Sequence, residues 1–422
     1  MNGKLAIPDP ALIRLRWRWI GLALISCLAG WAGYSLLASA WNPGYALRWL
    51  AMAASVQAYL LWRLWHDLAQ NHRAGEVELL PALGPGNSLT LARGLLIAGL
   101  AGFLLLPHPQ GAMAGTSFMA WIPAALYTLA SLADFLDGYL ARRANYATRL
   151  GELLDMNVDS IGILTATMLV VRYGQAPAWF LLVGLARYIF LGGTWLRRRL
   201  GKPVYELPPS ASRRFFAGLQ MCLTFFLLWP VFTPPGTAFA AALFSLPFLA
   251  GFARDWLVVS GALRPRQVVS DGLHRFITRW LPVGLRALAV GLWLSPWTPD
   301  FSSYLNSDNA ATLSGWIVPE HWVAVLALAE FGVILLLALG LLGRGAAVVG
   351  LLLLGLEQAF ASLTPAQYLL AAIYVALLYL GTGAYSLWKP EERLVYYRAG
   401  ERIPIAGDPV EARPRVGISV GR

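Results

Sequence analysis

Residues 133–160 read "ADFLDGYLARRANYATRLGELLDMNVDS" and lie between two strongly apolar runs, yet they carry Asp134, Asp137, Asp155 and Asp159 together with Arg142, Arg143 and Arg149. The apolar flanks decide the fold class. Over 422 residues the chain is 58% hydrophobic and only 13% charged, with a mean hydropathy of +0.57, values that a fully solvated surface does not tolerate. Runs close to the ~20 residues that cross a bilayer recur at 18–40, 45–65, 88–106, 117–138, 151–171 and 177–196. They continue at 214–232, 237–261, 279–297, 320–342, 345–363 and 366–388. Lipid offers the backbone no hydrogen-bond partner, and no alternating barrel pattern is present. The pattern therefore predicts an all-α polytopic membrane bundle of about twelve transmembrane helices.

Basic residues fall in every second connection: Arg14, Arg16 and Arg18, then His72 and Arg73, then Arg142, Arg143 and Arg149, then Arg197 to Arg199 and Arg213 and Arg214. The intervening connections "PHPQGAMAGTS" (107–117) and "SPWTPDFSSYLNSDNAATLSGW" (295–316) hold no Lys or Arg. The positive-inside bias then predicts both termini and the quoted stretch on the cytoplasmic face of a bacterial-type inner membrane. The net charge of +11 is accounted for by that bias and by attraction to anionic membrane lipid, so no nucleic acid partner is needed. The first apolar run reads as a retained anchor, because no short run closed by a small-residue cleavage site precedes it. Cys27 and Cys222 fall inside predicted helices and read as buried apolar residues, outside any disulfide or thiolate site.

Polar breaks at 66–87 and 260–275 divide the chain. They predict a two-helix leader (1–75), a six-helix unit (76–262), a four-helix unit (272–392) and a polar tail (393–422).

The quoted stretch spans the end of one predicted helix, a short turn and the start of the next. Asp134 and Asp137 share a helix face with Gly138, Ala141 and Arg142, and Gly151, Asp155 and Asp159 form a second stripe at four-residue spacing. Helices joined by a short turn are expected to be antiparallel neighbours with these stripes facing each other. Four converging carboxylates repel and require positive charge, for which a hard divalent cation, Mg²⁺ or Mn²⁺, suits an oxygen-only donor set. A plain alternative pairs the aspartates with Arg142, Arg143 and Arg149 in a solvated loop. Asp155 and Asp159 reach into an apolar helix, where a carboxylate without a role is costly, and this favours the site.

The spacing D-x2-D-G-x2-A-R-x8-G-x3-D-x3-D resembles the signature of the CDP-alcohol phosphatidyltransferase family. The likeness extends upstream to "GNSLTLARGLL" (86–96), similar to that family's N-x-L-T-x2-R, and downstream to "GFARDWLVVSG" (251–261), covering about residues 80–262. It implies an enzyme of phospholipid biosynthesis that transfers a phosphatidyl group from CDP-diacylglycerol to a small alcohol acceptor and releases CMP. It further implies Asp134, Asp137 and Asp155 as metal ligands, with Asp159 touching a second metal and taking the acceptor's proton. Asn87, Thr90, Gly138, Ala141, Arg142 and Gly151 would form the nucleotide and diphosphate side. Asn87 and Thr90 can also be read as a helix cap. Arg187, Arg213 and Arg214 are the candidates for a phosphorylated acceptor, although Arg213 and Arg214 read equally as membrane anchors. Arg187, inside an apolar run, is expected to need an internal partner. The acceptor stays open, because "SASRRFFAGLQM" (210–221) stands where the branch making phosphatidylglycerol phosphate carries a G-K-x-K-T-like stretch. A homodimer is also left open.

Residues 272–390 resemble the DoxX-like family in "LALAEFGVILLLALGLLGRGAAVVGLLLLG" (326–355) and "LLYLGTGAYSL" (377–387). Arg286, Glu330 and Glu357 there read as a mutually neutralising brace, and the whole unit is expected to be separable from the chemistry. The competing function is a transporter or scaffold with a cation-binding aspartate cluster. Transport calls for charges spread near the midplane of several helices, whereas these gather at one mouth.

Overall fold

The computed structural model describes residues 9–73, 75–108, 118–144, 146–207, 211–263, 276–298, 312–313, 316–317, 320–360 and 362–388. Each apolar run in the sequence holds one α-helix. The leader supplies α1 (Pro10–Ala40) and α2 (Pro43–Asp67), and the middle supplies α3 (Pro85–Gly102), α4 (Phe118–Arg143), α5 (Arg149–Arg172), α6 (Leu181–Arg199), α7 (Ala211–Leu228) and α8 (Gly236–Val259). The C-terminal part supplies α9 (Leu281–Trp293), α10 (Glu320–Leu339), α11 (Gly343–Phe360) and α12 (Pro365–Leu380). The β-structure among the described strands is a two-residue antiparallel pairing of Thr312–Leu313 with Trp316–Ile317. Among the described residues, seven helices are long and apolar enough to cross a bilayer, while α7 and α12 are apolar but shorter. The chain is an integral membrane protein.

Local chemistry sets the helix ends. Proline opens α1, α2, α3 and α12, where its missing N–H costs nothing. Asp9 and Asn42 cap the first two helices, and Thr364 with Gln367 forms a full capping box on α12. That last helix stops at Leu380, short of the expected 388, because Gly381 turns the chain at φ +84°. Residues after it fold back on the α10–α11 connection, where the Leu342 amide donates to the Trp388 carbonyl at 3.0 Å.

The packing centres on α3. The two carboxylate stripes still face each other, with oxygens of Asp134, Asp137 and Asp155 within 4.8 Å of one another, although both α4 and α5 pack chiefly on α3. The reason is the small-residue surface of α3, which admits neighbours closely. Trp49 of α2 lies against Gly33 of α1 and Gly102 of α3, at both of which a Cβ would collide with its ring, and its indole donates to the Gly99 carbonyl at 2.8 Å. One apolar core runs continuously from α2 through the middle helices into α10, α11 and α12. A smaller cluster, Leu15, Leu64, Leu68, Leu150 and Leu154, ties α1 and α2 to the start of α5. Cys27 and Cys222 are free thiols on exposed helix surfaces, not core residues as expected. The break at 264–275 and the tail from 389 lie outside the described residues.

Candidate active site

Arg93 of α3 occupies the place where the aspartates of α4 and α5 converge. It is 1% exposed. Its Nη2 lies 2.7 Å from Asp134 and 2.5 Å from Asp159, and its Nη1 lies 2.8 Å from both Asp137 and Asp155. A planar guanidinium can serve several carboxylates at once because its N–H groups fan outward in a fixed plane. The aspartate spacing called for positive charge here and pointed to a bound cation, or else to Arg142, Arg143 and Arg149, and not to Arg93. The signal for Arg93 was present as the final residue of the N-x-L-T-x2-R stretch. Four carboxylates facing one guanidinium leave three negative charges uncompensated. Oxygens of Asp134, Asp137 and Asp155 lie within 4.8 Å of one another, and this oxygen-only donor set suits a hard divalent cation.

Around this centre the remaining predicted residues divide by task. Thr90 donates to Asp137 at 3.0 Å and to the Gly86 carbonyl at 3.1 Å, so it orients a carboxylate. Asn87, buried, donates to Thr148 Oγ1 at 3.1 Å, and Thr148 in turn caps α5 by accepting from the Gly151 amide at 3.1 Å. Neither residue caps α3, whose N-cap is Gly84 without a side-chain bond. The helix-cap alternative is therefore replaced by a buried link between α3 and the start of α5. Gly151 is required at that link, because a Cβ there would collide with Asn87 Oδ1.

A cavity of about 1070 Å³ opens beside the aspartates. Asn87, Thr90, Arg93, Gly138, Gly151 and all four aspartates line it, as do Arg187 of α6 and Arg213 of α7. Arg213 approaches Asp255 of α8 at 3.6 Å. Among the described residues Arg187 makes no hydrogen bond or ion pair, and it lines the cavity. Phe215, Phe216, Phe248 and Phe252 give the same cavity an apolar wall. The side chains of Ala141, Arg142 and Arg214 lie outside the described residues.

Two parts beyond the motif-bearing unit reach this region. The leader's connection runs along the α4–α5 turn: the Arg149 amide donates to the His72 carbonyl at 3.0 Å, and Tyr146 donates to the Ala82 carbonyl at 2.9 Å. Asn71, wholly buried, donates to the Leu80 and Ala82 carbonyls and accepts from Asn87 at 3.5 Å. On the opposite side, α11 and α12 touch the cavity wall, Arg344 lying over Phe215 and Tyr379 against Phe216. Within the four C-terminal helices the expected brace is corrected. Arg286 donates to the carbonyls of Leu337, Ala338, Thr382 and Ala384, while Glu357 accepts from Gln367 at 2.8 Å.

The comparisons with known proteins agree with this placement. A family model described as CDP-alcohol phosphatidyltransferase matches residues 85–263, which hold α3 to α8 and every aspartate of the cluster. The chain is 32% identical over 111 residues to the CDP-diacylglycerol–glycerol-3-phosphate 3-phosphatidyltransferase of Bacillus subtilis, covering 25% of this chain and 58% of that protein. It is 30% identical over 135 residues to the enzyme of the same name in Rickettsia typhi, covering 32% of this chain and 70% of that protein. It is also 33% identical over 125 residues to cholinephosphotransferase 1 of Xenopus laevis, covering 28% of this chain and 31% of that protein. No solved structure matches. With the family model lying over the aspartate-bearing helices and the Rickettsia relative matched along most of its length, the chain belongs to the CDP-alcohol phosphatidyltransferase family.

Proposed function

We propose that the protein is a divalent-metal-dependent enzyme of a cytoplasmic membrane that transfers a phosphatidyl group from CDP-diacylglycerol to a small alcohol and releases CMP. The observation that carries this reading is the convergence of Asp134, Asp137, Asp155 and Asp159 on Arg93 at the edge of a cavity that also holds Arg187 and Arg213. Asp134, Asp137 and Asp155 would hold Mg²⁺ or Mn²⁺, which when bound neutralises charge on the diphosphate undergoing displacement. Arg93 keeps the four carboxylates convergent against their mutual repulsion, and Thr90 fixes the orientation of Asp137. The Asn87–Thr148–Gly151 link holds the start of α5 so that Asp155 and Asp159 project toward the same point.

In the reaction, the acceptor's hydroxyl oxygen bonds to the β-phosphorus as the bond from that phosphorus to the bridging oxygen breaks. CMP departs with that oxygen, and the hydroxyl proton passes to the Asp159 carboxylate. Arg187 and Arg213 line the same cavity, Arg213 beside Asp255, and guanidinium groups there suit a phosphorylated acceptor. The apolar wall of Phe215, Phe216, Phe248 and Phe252 suits the lipid chains of the donor. The positive-inside pattern supports a cavity mouth and both termini facing the cytoplasm.

The test is purified full-length protein with CDP-diacylglycerol, Mg²⁺ or Mn²⁺, and glycerol 3-phosphate, inositol phosphate, inositol or serine in turn, scoring CMP release. Metal-dependent release with one acceptor is the expected result. Absence of release with all four, from protein that is folded and metal-loaded, overturns the reading.

A further inference from the structure

The four C-terminal helices lie beyond the matched family region, yet they reach the cavity wall through specific side chains. Arg344, in the first turn of α11, donates from Nη1 to the Leu378 carbonyl near the end of α12 at 2.6 Å. Its guanidinium carbon lies 4.7 Å from the centre of the Phe215 ring, within the distance at which a cation is attracted to an aromatic face. Tyr379, on α12, sets its ring edge-on to Phe216 with centroids 5.0 Å apart and donates through its hydroxyl to the Phe244 carbonyl of α8 at 2.8 Å. Phe215 and Phe216 both line the cavity and directly follow Arg213 and Arg214 on the first turns of α7. Each brace is itself fixed, Arg344 by the end of α12 and Tyr379 by α8. The two phenylalanines are therefore held from behind by parts of the protein that never touch the aspartates.

We propose that the C-terminal four-helix unit is a specificity-determining brace for the reaction: Arg344 and Tyr379 hold the start of α7 so that Arg213 meets the acceptor alcohol in the cavity it shares with the four aspartates. This rests on the reaction proposed above. Arg344 and Tyr379 are positioning residues, acting through Phe215 and Phe216. The argument is spatial. The aspartates are mounted on α4 and α5 and held together by Arg93 of α3, so their ion pairs do not depend on the first turn of α7, whereas Arg213 rides on that turn and approaches Asp255 of α8. A change behind α7 therefore alters acceptor binding and leaves donor binding and the chemical step nearly untouched.

The experiment uses full-length Arg344→Gln, Arg344→Lys and Tyr379→Leu proteins, each first checked for wild-type elution and melting. Steady-state kinetics are measured with CDP-diacylglycerol and whichever member of the acceptor panel the wild type uses. The expected result for Arg344→Gln is an acceptor KM raised about three- to thirty-fold, the range a cation–π contact commands, with kcat and the KM for CDP-diacylglycerol held. Arg344→Lys, which keeps the cation, should recover most of the loss, and Tyr379→Leu should shift the acceptor KM in the same direction. Unchanged kinetics, or equal loss for both substrates, overturns the proposal.

A second measurement does not need turnover. A nitroxide on Ala217→Cys, in a Cys27→Ser and Cys222→Ser background, reports the motion of the cavity-facing start of α7. Arg344→Gln should sharpen its spectrum, and an unchanged spectrum overturns the brace. If the wild type releases no CMP with any acceptor, the proposed reaction fails, and the label alone then decides whether the brace exists.

Discussion

Among the described residues, Arg93 and Arg286 are the two arginines buried inside the helical bundle, at 1% and 5% exposure. They have opposite surroundings. Arg93 meets four carboxylates carried by two other helices, while Arg286 meets four main-chain carbonyls at the end of α10 and in the fold-back after α12. Carbonyl oxygens are neutral acceptors that a helix end leaves without partners, so Arg286 satisfies groups that would otherwise be orphaned in an apolar interior. Carboxylates are charged, and four of them exceed what one guanidinium neutralises. A buried arginine thus reports a lock in one half of the molecule and a reactive centre in the other, and the acceptor atoms around it tell the two apart.

The comparison can be broken at its strongest point first. Asp159→Asn should lower CMP release by about 10²–10⁴-fold, the usual contribution of a positioned base, while CDP-diacylglycerol binding stays measurable by equilibrium titration. Excess chelator should bring the wild type to background in the same assay, and near-full activity in either case removes the reactive centre from the argument. Arg93→Leu comes next, because it leaves four carboxylates facing each other with no internal cation. It should cost about 3–5 kcal/mol of stability, read by thermal unfolding in detergent, with divalent metal restoring part of the loss. For Arg286→Met the expected effect is about 3 kcal/mol of stability from lost charge-assisted hydrogen bonds, no rescue by metal, and wild-type kcat per folded molecule. Metal rescue of the Arg286 variant, or its absence for the Arg93 variant, would erase the distinction between lock and centre. The smallest effect belongs to Arg213→Gln, which should raise the KM of a phosphorylated acceptor by the equivalent of about 1.5–3 kcal/mol and leave that of CDP-diacylglycerol unchanged. Equal shifts for both substrates would return Arg213 to membrane anchoring.

Much of the architecture could be read from the chain because its signals are local. Apolar length located every helix, and proline with Asp, Asn or Thr marked several starts. The aspartate spacing located the centre for the same reason: three- and four-residue steps put side chains on one helix face wherever that helix goes. Long-range pairing left no such trace. Nothing in the spacing of 134–159 says that α3 stands between α4 and α5, so the counter-charge was assigned to a cation while Arg93 sat more than forty positions upstream. Arg286 was misjudged for a related reason. A carboxylate partner is visible as a letter in the sequence, whereas a free helix-end carbonyl belongs to every residue and to none in particular. The end of α12 was overrun because "LLYLGTGAYSL" stays apolar past Leu380, and hydropathy does not register the positive φ that Gly381 adopts.

The order in which the ribosome delivers these parts gives the leader's connection a temporal meaning. When the α4–α5 turn is made, the segment that accepts the Arg149 amide and the Tyr146 hydroxyl already exists, so the turn has its docking surface waiting. The opposite wall has no such head start. At ~5–20 residues per second of synthesis, Arg344 is polymerised roughly 10–30 s after the end of α5. During that interval the nascent chain holds an assembled aspartate centre and, once α7 is made, a Phe215 and Phe216 that still lack Arg344 and Tyr379. A newly made molecule would therefore be able to hold metal before its acceptor preference is set.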